Sequence, residues 1–128
     1  MKGNLKISDL KAFVPAKDYE LSRRFFKGVG FTEVWTSSQV TVFQLGAFGF
    51  LLQNFYSKEM AENLMLSVVA EDLDAWWEHL SGLGLEKAYP GVRLKPPADY
   101  PWGLREVHLI DPSGVLWHIS QERPKQQA

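Results

Sequence analysis

The chain has 128 residues, 45% of them hydrophobic and 23% charged, with a formal net charge of −1. That length suits a single domain with a real core, and the near-neutral balance lacks the basic footprint of a nucleic-acid binder. There is no cysteine, which excludes disulfides, thiolate metal sites and thiol nucleophiles. No apolar run is long enough to span a bilayer, so no membrane partner is expected and the protein reads as cytoplasmic.

In chain order, Lys6–Val14 reads as a strand. It is followed by Asp18-Tyr-Glu-Leu-Ser-Arg-Arg-Phe-Phe-Lys-Gly-Val-Gly-Phe31, with Asp18 placed to cap a helix and Gly28 and Gly30 placed to end it. Leu21, Phe25, Phe26 and Val29 form that helix's apolar stripe, expected in the core. Strands follow at Phe31–Thr36, Gln39–Leu45 and Gly49–Gln53, the last two joined by a Gly46-Ala47 turn. Ser57–Asn63 is a polar connector with room for one helical turn.

A shift of 54 residues then superimposes the chain on itself without a gap: Asp18 on Asp72, Gly28 on Gly82, Gly30 on Gly84 and Phe31 on Leu85. The second copy has a strand at Leu64–Val69 and a helix from Asp72 striped by Leu73, Trp76, Trp77, Leu80 and Leu83. A strand is expected at Leu85–Tyr89, running on to Leu94, and then a proline-stiffened loop, Pro96–Pro101. The pattern is βαβββ twice. The reading is therefore one α+β domain over 1–128, made of modules at about 5–56 and 64–121, with a frayed tail from Glu122.

The second copy ends in a hairpin, Arg105–Ile110 and Val115–Ser120, around the turn Asp111-Pro112-Ser113-Gly114. Period-two alternation puts Glu106 and His108 on one face of its first strand, and Leu116, His118 and Ser120 on one face of its second. Arg105 and Trp117 point the other way. Function is expected on the face of Glu106, His108 and His118. These three have the composition of a two-His–one-carboxylate metal site. They can equally satisfy one another, or Arg105 and Lys11, by hydrogen bonds in a half-polar cavity, and this second arrangement is the one expected. Metal-free acid–base work by the Glu/His pair is also open. Neither Ser67 nor Ser120 has a catalytic triad around it.

The duplicated βαβββ unit, the Asp-x-x-x-Ser-x-x-Phe-Phe-x-x-x-Gly-Phe helix and the Asp-Pro-x-Gly hairpin resemble the vicinal oxygen chelate superfamily over residues 5–121. That superfamily includes glyoxalase I, extradiol dioxygenases, fosfomycin-resistance enzymes and bleomycin-resistance proteins. Pro101-Trp-Gly-Leu-Arg-Glu106 followed by Asp111-Pro-Ser-Gly114 is most similar to the bleomycin-resistance branch. The resemblance implies two modules whose sheets curl into a half-open barrel, and a homodimer. It also places the usual metal positions at Lys11, Met65 and His118, with Gln53 as the first-half counterpart of His118. Lysine repels a divalent ion and methionine is a soft ligand, so no metal cofactor is expected, and a divalent ion held through His118 is the alternative.

What survives is a small-molecule site. Phe13, Trp35, Phe43, Phe50 and Trp102 are placed to line or rim the sheet concavity with Lys11, Met65, Glu106, His108 and His118. The expected function is metal-independent binding of a drug-like or aromatic ligand in a groove between subunits. The alternatives are a metal-dependent glyoxalase, lyase or dioxygenase with non-standard ligands, and a structural or regulatory dimer.

Overall fold

The structure, a computed structural model, describes residues 3–122. Its first half runs β1 (Phe13–Pro15), α1 (Tyr19–Val29), β2 (Thr32–Thr36), β3 (Val40–Leu45) and β4 (Phe48–Gln53). Helix α2 (Lys58–Asn63) leads to β5 (Met65–Val69), α3 (Leu73–Ser81), α4 (Leu85–Ala88), β6 (Arg93–Asp99), β7 (Leu104–Ile110) and β8 (Leu116–Glu122). The strands form two four-stranded sheets, ordered β1-β4-β3-β2 and β5-β8-β7-β6, that do not close on each other. In each, one parallel pair (β1 with β4, β5 with β8) joins an otherwise antiparallel meander. No helix among the described residues is long and apolar enough to cross a membrane.

The two copies of the repeat fold alike. Asp18 accepts from Leu21 N and Asp72 from Ala75 N, so each aspartate satisfies one of the orphan donors of its helix. Gly30 and Gly84 both take positive φ, +132° and +65°, where a side chain would be strained.

Three expectations fail locally. The strand predicted over Lys6–Val14 shrinks to Phe13–Pro15, because the residues before it have no neighbouring strand, and Leu5, Ile7 and Leu10 lie exposed. Leu85–Ala88 is a helical turn rather than a strand. Its Leu-Glu-Lys-Ala are all good helix formers with no β-branched residue among them. The stretch from Pro96, read as loop, belongs to β6. That strand is the sheet's edge, so prolines cost it no ladder hydrogen bond, and its pairing with β7 shifts between Lys95 and Ala98. The tail predicted to fray lies outside the described residues from 123 onward, while Glu122 ends β8.

The modules meet through aromatic rings. Phe26 of α1 lies 4.8 Å from Phe50 and 5.4 Å from Trp117, and Phe50 lies 5.1 Å from Trp117, centroid to centroid. Phe43 stacks on Phe50 at 5.5 Å. Phe26–Phe50 and Phe50–Trp117 are edge-to-face, and such aromatic pairs are worth about 0.5–1.5 kcal/mol each beyond burial. His79 of α3 hydrogen-bonds Val29 O at 2.6 Å, and Ser113 Oγ accepts from Lys17 N at 2.9 Å. The helix-bearing faces of the two sheets are thus turned toward each other, which leaves the opposite face of each sheet open.

Candidate functional site on the open sheet faces

The ladder registers define matching rows on the two open faces. On the first sheet Phe13 pairs with Leu51, Leu51 with Val42 and Val42 with Trp35. On the second, Ser67 pairs with His118, His118 with His108 and His108 with Lys95. The 54-residue offset carries Phe13 onto Ser67, so the rows are equivalent. One row is wholly apolar and the other wholly polar.

Glu106, next to this polar row and opposite Ser120, completes the cluster. Its Oε1 accepts from His108 Nε2 at 2.8 Å and from His118 Nδ1 at 3.0 Å, and its Oε2 accepts from Trp102 Nε1–H at 3.2 Å. Only 3% of Glu106 is exposed. Burial by itself would push the Glu106 carboxyl up, but the donors on His108, His118 and Trp102 together outweigh it and hold the group below its ordinary value. The far nitrogen of each imidazole also has a neighbour: Tyr100 Oη lies 3.4 Å from His108 Nδ1, and Met65 Sδ lies 3.4 Å from His118 Nε2.

Aromatic rings extend the cluster outward. His108 stacks on Tyr100 at 4.9 Å and 24°, and Tyr100 stacks on Trp102 at 4.8 Å and 18°. Trp102 is 59% exposed, yet its ring is held from behind by Tyr100 and at its edge by Glu106. Gly103, at φ +93°, makes the turn that returns the chain into β7.

Beneath the hairpin, Asp111 is buried. Its Oδ1 accepts from Ser113 N and Val115 N, and its Oδ2 accepts from Trp117 Nε1–H at 3.0 Å. Burial pushes its carboxyl up to about 6 against those donors. The aspartate thereby ties the turn to the aromatic core and stays ionised at neutral pH.

Among the predicted site residues, Met65, Glu106, His108, His118 and Trp102 come together on the second sheet. Phe13 and Trp35 lie on the open face of the first, and Lys11 packs its stem against Gly49 there. Phe43 and Phe50 do not line the open face. They are 0% and 2% exposed, because the alternation of β3 and β4 turns them toward α1 and the core. Of the hydrogen-bonding arrangements expected, the one present joins Glu106 to His118, with His108 and Trp102 added, whereas Lys11 pairs with Asp9 and Arg105 with Asp99. The register also assigns the counterpart of His118 to Leu51, not Gln53, which matches Ser120 instead. Tyr100 is not among the expected site residues, and Ser67 is weighed only as a nucleophile. Tyr100 sits two positions after Ala98 and two before Trp102, a spacing that a strand reading of this stretch would have flagged.

A cavity lies elsewhere. About 770 Å³ opens between the modules, walled by Phe31, Phe50, Val68, Trp76 and Trp117, and it includes none of Glu106, His108, His118 and Trp102. Ser67 lines its margin and stands opposite His118 in the ladder, so the cavity reaches toward the polar row.

Residues 10–119 match the Glyoxalase/Bleomycin resistance protein/Dioxygenase superfamily. The chain belongs to that superfamily. No curated protein matches it in sequence. Among solved structures, a bleomycin-binding protein complexed with bleomycin aligns with a TM-score of 0.79 at 19% identity, covering 91% of this chain and 100% of that one. A bleomycin resistance determinant encoded on the transposon Tn5 gives 0.78 at 20% identity, with 91% and 100% coverage. A fosfomycin resistance protein from Listeria monocytogenes, complexed with Mn(II) and sulfate, gives 0.68 at 19% identity, with 92% and 93% coverage. At these identities the likeness establishes the shared fold.

The metal positions that the resemblance implies do not suit a hard or borderline divalent ion in this chain. Lys11 offers an ammonium engaged by Asp9, Met65 a thioether, and Leu51, the register counterpart of His118, only hydrocarbon. His118 alone retains a suitable donor.

Proposed function

We propose that the chain is a small-molecule binding protein of the bleomycin-resistance kind. It holds an aromatic, drug-like ligand in a groove between two copies of the chain, with no metal at the usual positions, and binding rather than turnover is its function. The observation that carries this reading is the exposed, immobilised ring of Trp102. A large exposed aromatic held flat by Tyr100 and Glu106 loses little freedom on meeting a planar ligand, which makes it an efficient platform. The apolar row Phe13–Leu51–Val42–Trp35, exposed at Phe13 and Trp35 and half-buried between them, supports the second copy as the opposite wall, since such a patch is ordinarily covered. The bleomycin ligand of one structural relative makes bleomycin the first probe.

The test is a titration of the EDTA-treated protein with metal-free bleomycin, read by tryptophan fluorescence. Quenching is expected at micromolar ligand, and Trp102→Phe should remove most of it and weaken binding about tenfold, roughly 1.4 kcal/mol. A signal and affinity unchanged in the folded variant would move the site off Trp102. A metal-dependent lyase or dioxygenase with non-standard ligands is favoured by one feature only, the convergence of Glu106, His108 and His118.

A further inference from the structure

That convergence supports a site of its own, whatever organic ligand the platform takes. We propose that Glu106, His108 and His118 form a binding site for one borderline divalent transition ion, of the class of Zn²⁺, Co²⁺, Ni²⁺ or Cu²⁺. It would lie on β7 and β8 and share only His118 with the superfamily's usual positions.

The donors stand close to the arrangement of a coordination sphere. Donor atoms about 2.1 Å from a metal lie about 3.0 Å apart at right angles and about 3.4 Å apart at tetrahedral angles. Glu106 Oε1 lies 2.8 Å from His108 Nε2 and 3.0 Å from His118 Nδ1, and the ligating atoms of the three residues all fall within 4.8 Å of one another. The backbone enforces this. His108 and His118 are directly opposed in an antiparallel ladder, and Glu106 is two residues before His108 on the same face. No strand movement is needed to gather them.

Metal entry leaves no imidazole N–H stranded. With the metal on His108 Nε2, the proton of the neutral ring sits on Nδ1, facing Tyr100 Oη, a hydroxyl able to accept or donate. With the metal on His118 Nδ1, the proton sits on Nε2, facing Met65 Sδ, a weak acceptor. Partners on the far nitrogen are what orient metal-binding histidines. Any imidazolium must lose one proton to solvent first, so affinity falls as the medium is acidified. Two imidazoles and one carboxylate select borderline ions over Mg²⁺ and Ca²⁺, which require oxygen shells. The half-buried histidines leave the remaining coordination positions on the solvent side of the sheet face.

The experiment is calorimetric titration of the EDTA-stripped full chain with Zn²⁺, repeated with Co²⁺ while following its visible absorption. One ion per chain is expected, with a micromolar or tighter dissociation constant. His108→Ala or His118→Ala should weaken binding at least tenfold, whereas His79→Gln, on α3 and hydrogen-bonded to Val29 O, should leave it unchanged. Because a variant could misfold, the wild-type imidazole proton resonances give an independent reading. Zn²⁺ should shift two of the three histidines and leave His79 in place. Binding weaker than millimolar overturns the site, as does binding that survives the folded double variant or Zn²⁺-induced shifts confined to His79.

Discussion

The two open sheet faces were built from one repeated plan and carry opposite chemistry. Phe13–Leu51–Val42–Trp35 and Ser67–His118–His108–Lys95 occupy the same register positions, and Val40 is the counterpart of Glu106 as Gln53 is of Ser120. The helix caps and glycine exits are shared, and so is the parallel pairing of first and last strands. The backbone therefore tolerates either an apolar or a charged row at these positions. What distinguishes the second face is that its polar atoms arrive as a complete set. Glu106 receives three donors, and no buried side-chain polar atom among the described residues lacks a partner.

Breaking that set should have the largest effect. Glu106→Ala leaves two imidazoles without their acceptor in a half-buried space, and a loss of about 3 kcal/mol is expected in urea unfolding. Copying the first face outright, with Glu106→Val, His108→Val and His118→Leu together, should stay within about 1 kcal/mol of the wild type, since replacing a whole polar group by hydrocarbon is often neutral. A triple variant less stable than Glu106→Ala would mean that the two faces are not interchangeable.

The hairpins beneath the faces differ as well, and pH separates them. The first turn is Gly46-Ala47, whereas the second carries buried Asp111. The Asp111 carboxyl rises from 3.8 unfolded to about 6 folded, so the native state binds more protons between those values. Its contribution to stability is full below about 3.8, declines as pH rises through that window, and is flat above about 6. Glu106 works in the opposite sense. Its lowered value adds stability above about 4.5 that disappears as pH falls below it. In Asp111→Asn the decline between about pH 4 and 6 should vanish, with overall stability lower by about 1–3 kcal/mol because the amide cannot accept from every donor. Thermal melts across pH 3–8 would show it, and an undiminished slope in the variant would assign the titration to another group.

Much of this was legible in the chain. The 54-residue offset, the caps Asp18 and Asp72, and the shared face of Glu106 and His108 follow from spacing alone, because helix and strand periods are local properties. The failures sit where neighbours decide. Leu85–Ala88 and the Pro96-Pro97 edge strand invert local expectation, since an edge position removes the penalty that makes proline a strand breaker. Phe43 and Phe50 alternate correctly, but alternation does not say which side is the core. The identity of Leu51 as the first-half counterpart of His118 required the ladder register, which sequence counting across a hairpin of unequal turn length misses.

The mildest test concerns the apolar row itself. Trp35 is 58% exposed at the edge of the first sheet, opposite Val42, and contributes little to the fold of an isolated chain. Trp35→Thr keeps a strand-forming residue, so stability should change by less than about 1 kcal/mol. If a second copy covers the row, the same substitution should weaken self-association at least tenfold in sedimentation equilibrium, because a desolvated tryptophan is the kind of residue on which interfaces depend. The equivalent change on the polar face, Lys95→Thr, should leave association untouched if the row alone drives pairing. Equal effects from both would mean that the copies meet across the two faces together, polar row against apolar. No effect from either would leave the row open in solution, and the groove would then be bounded by one chain.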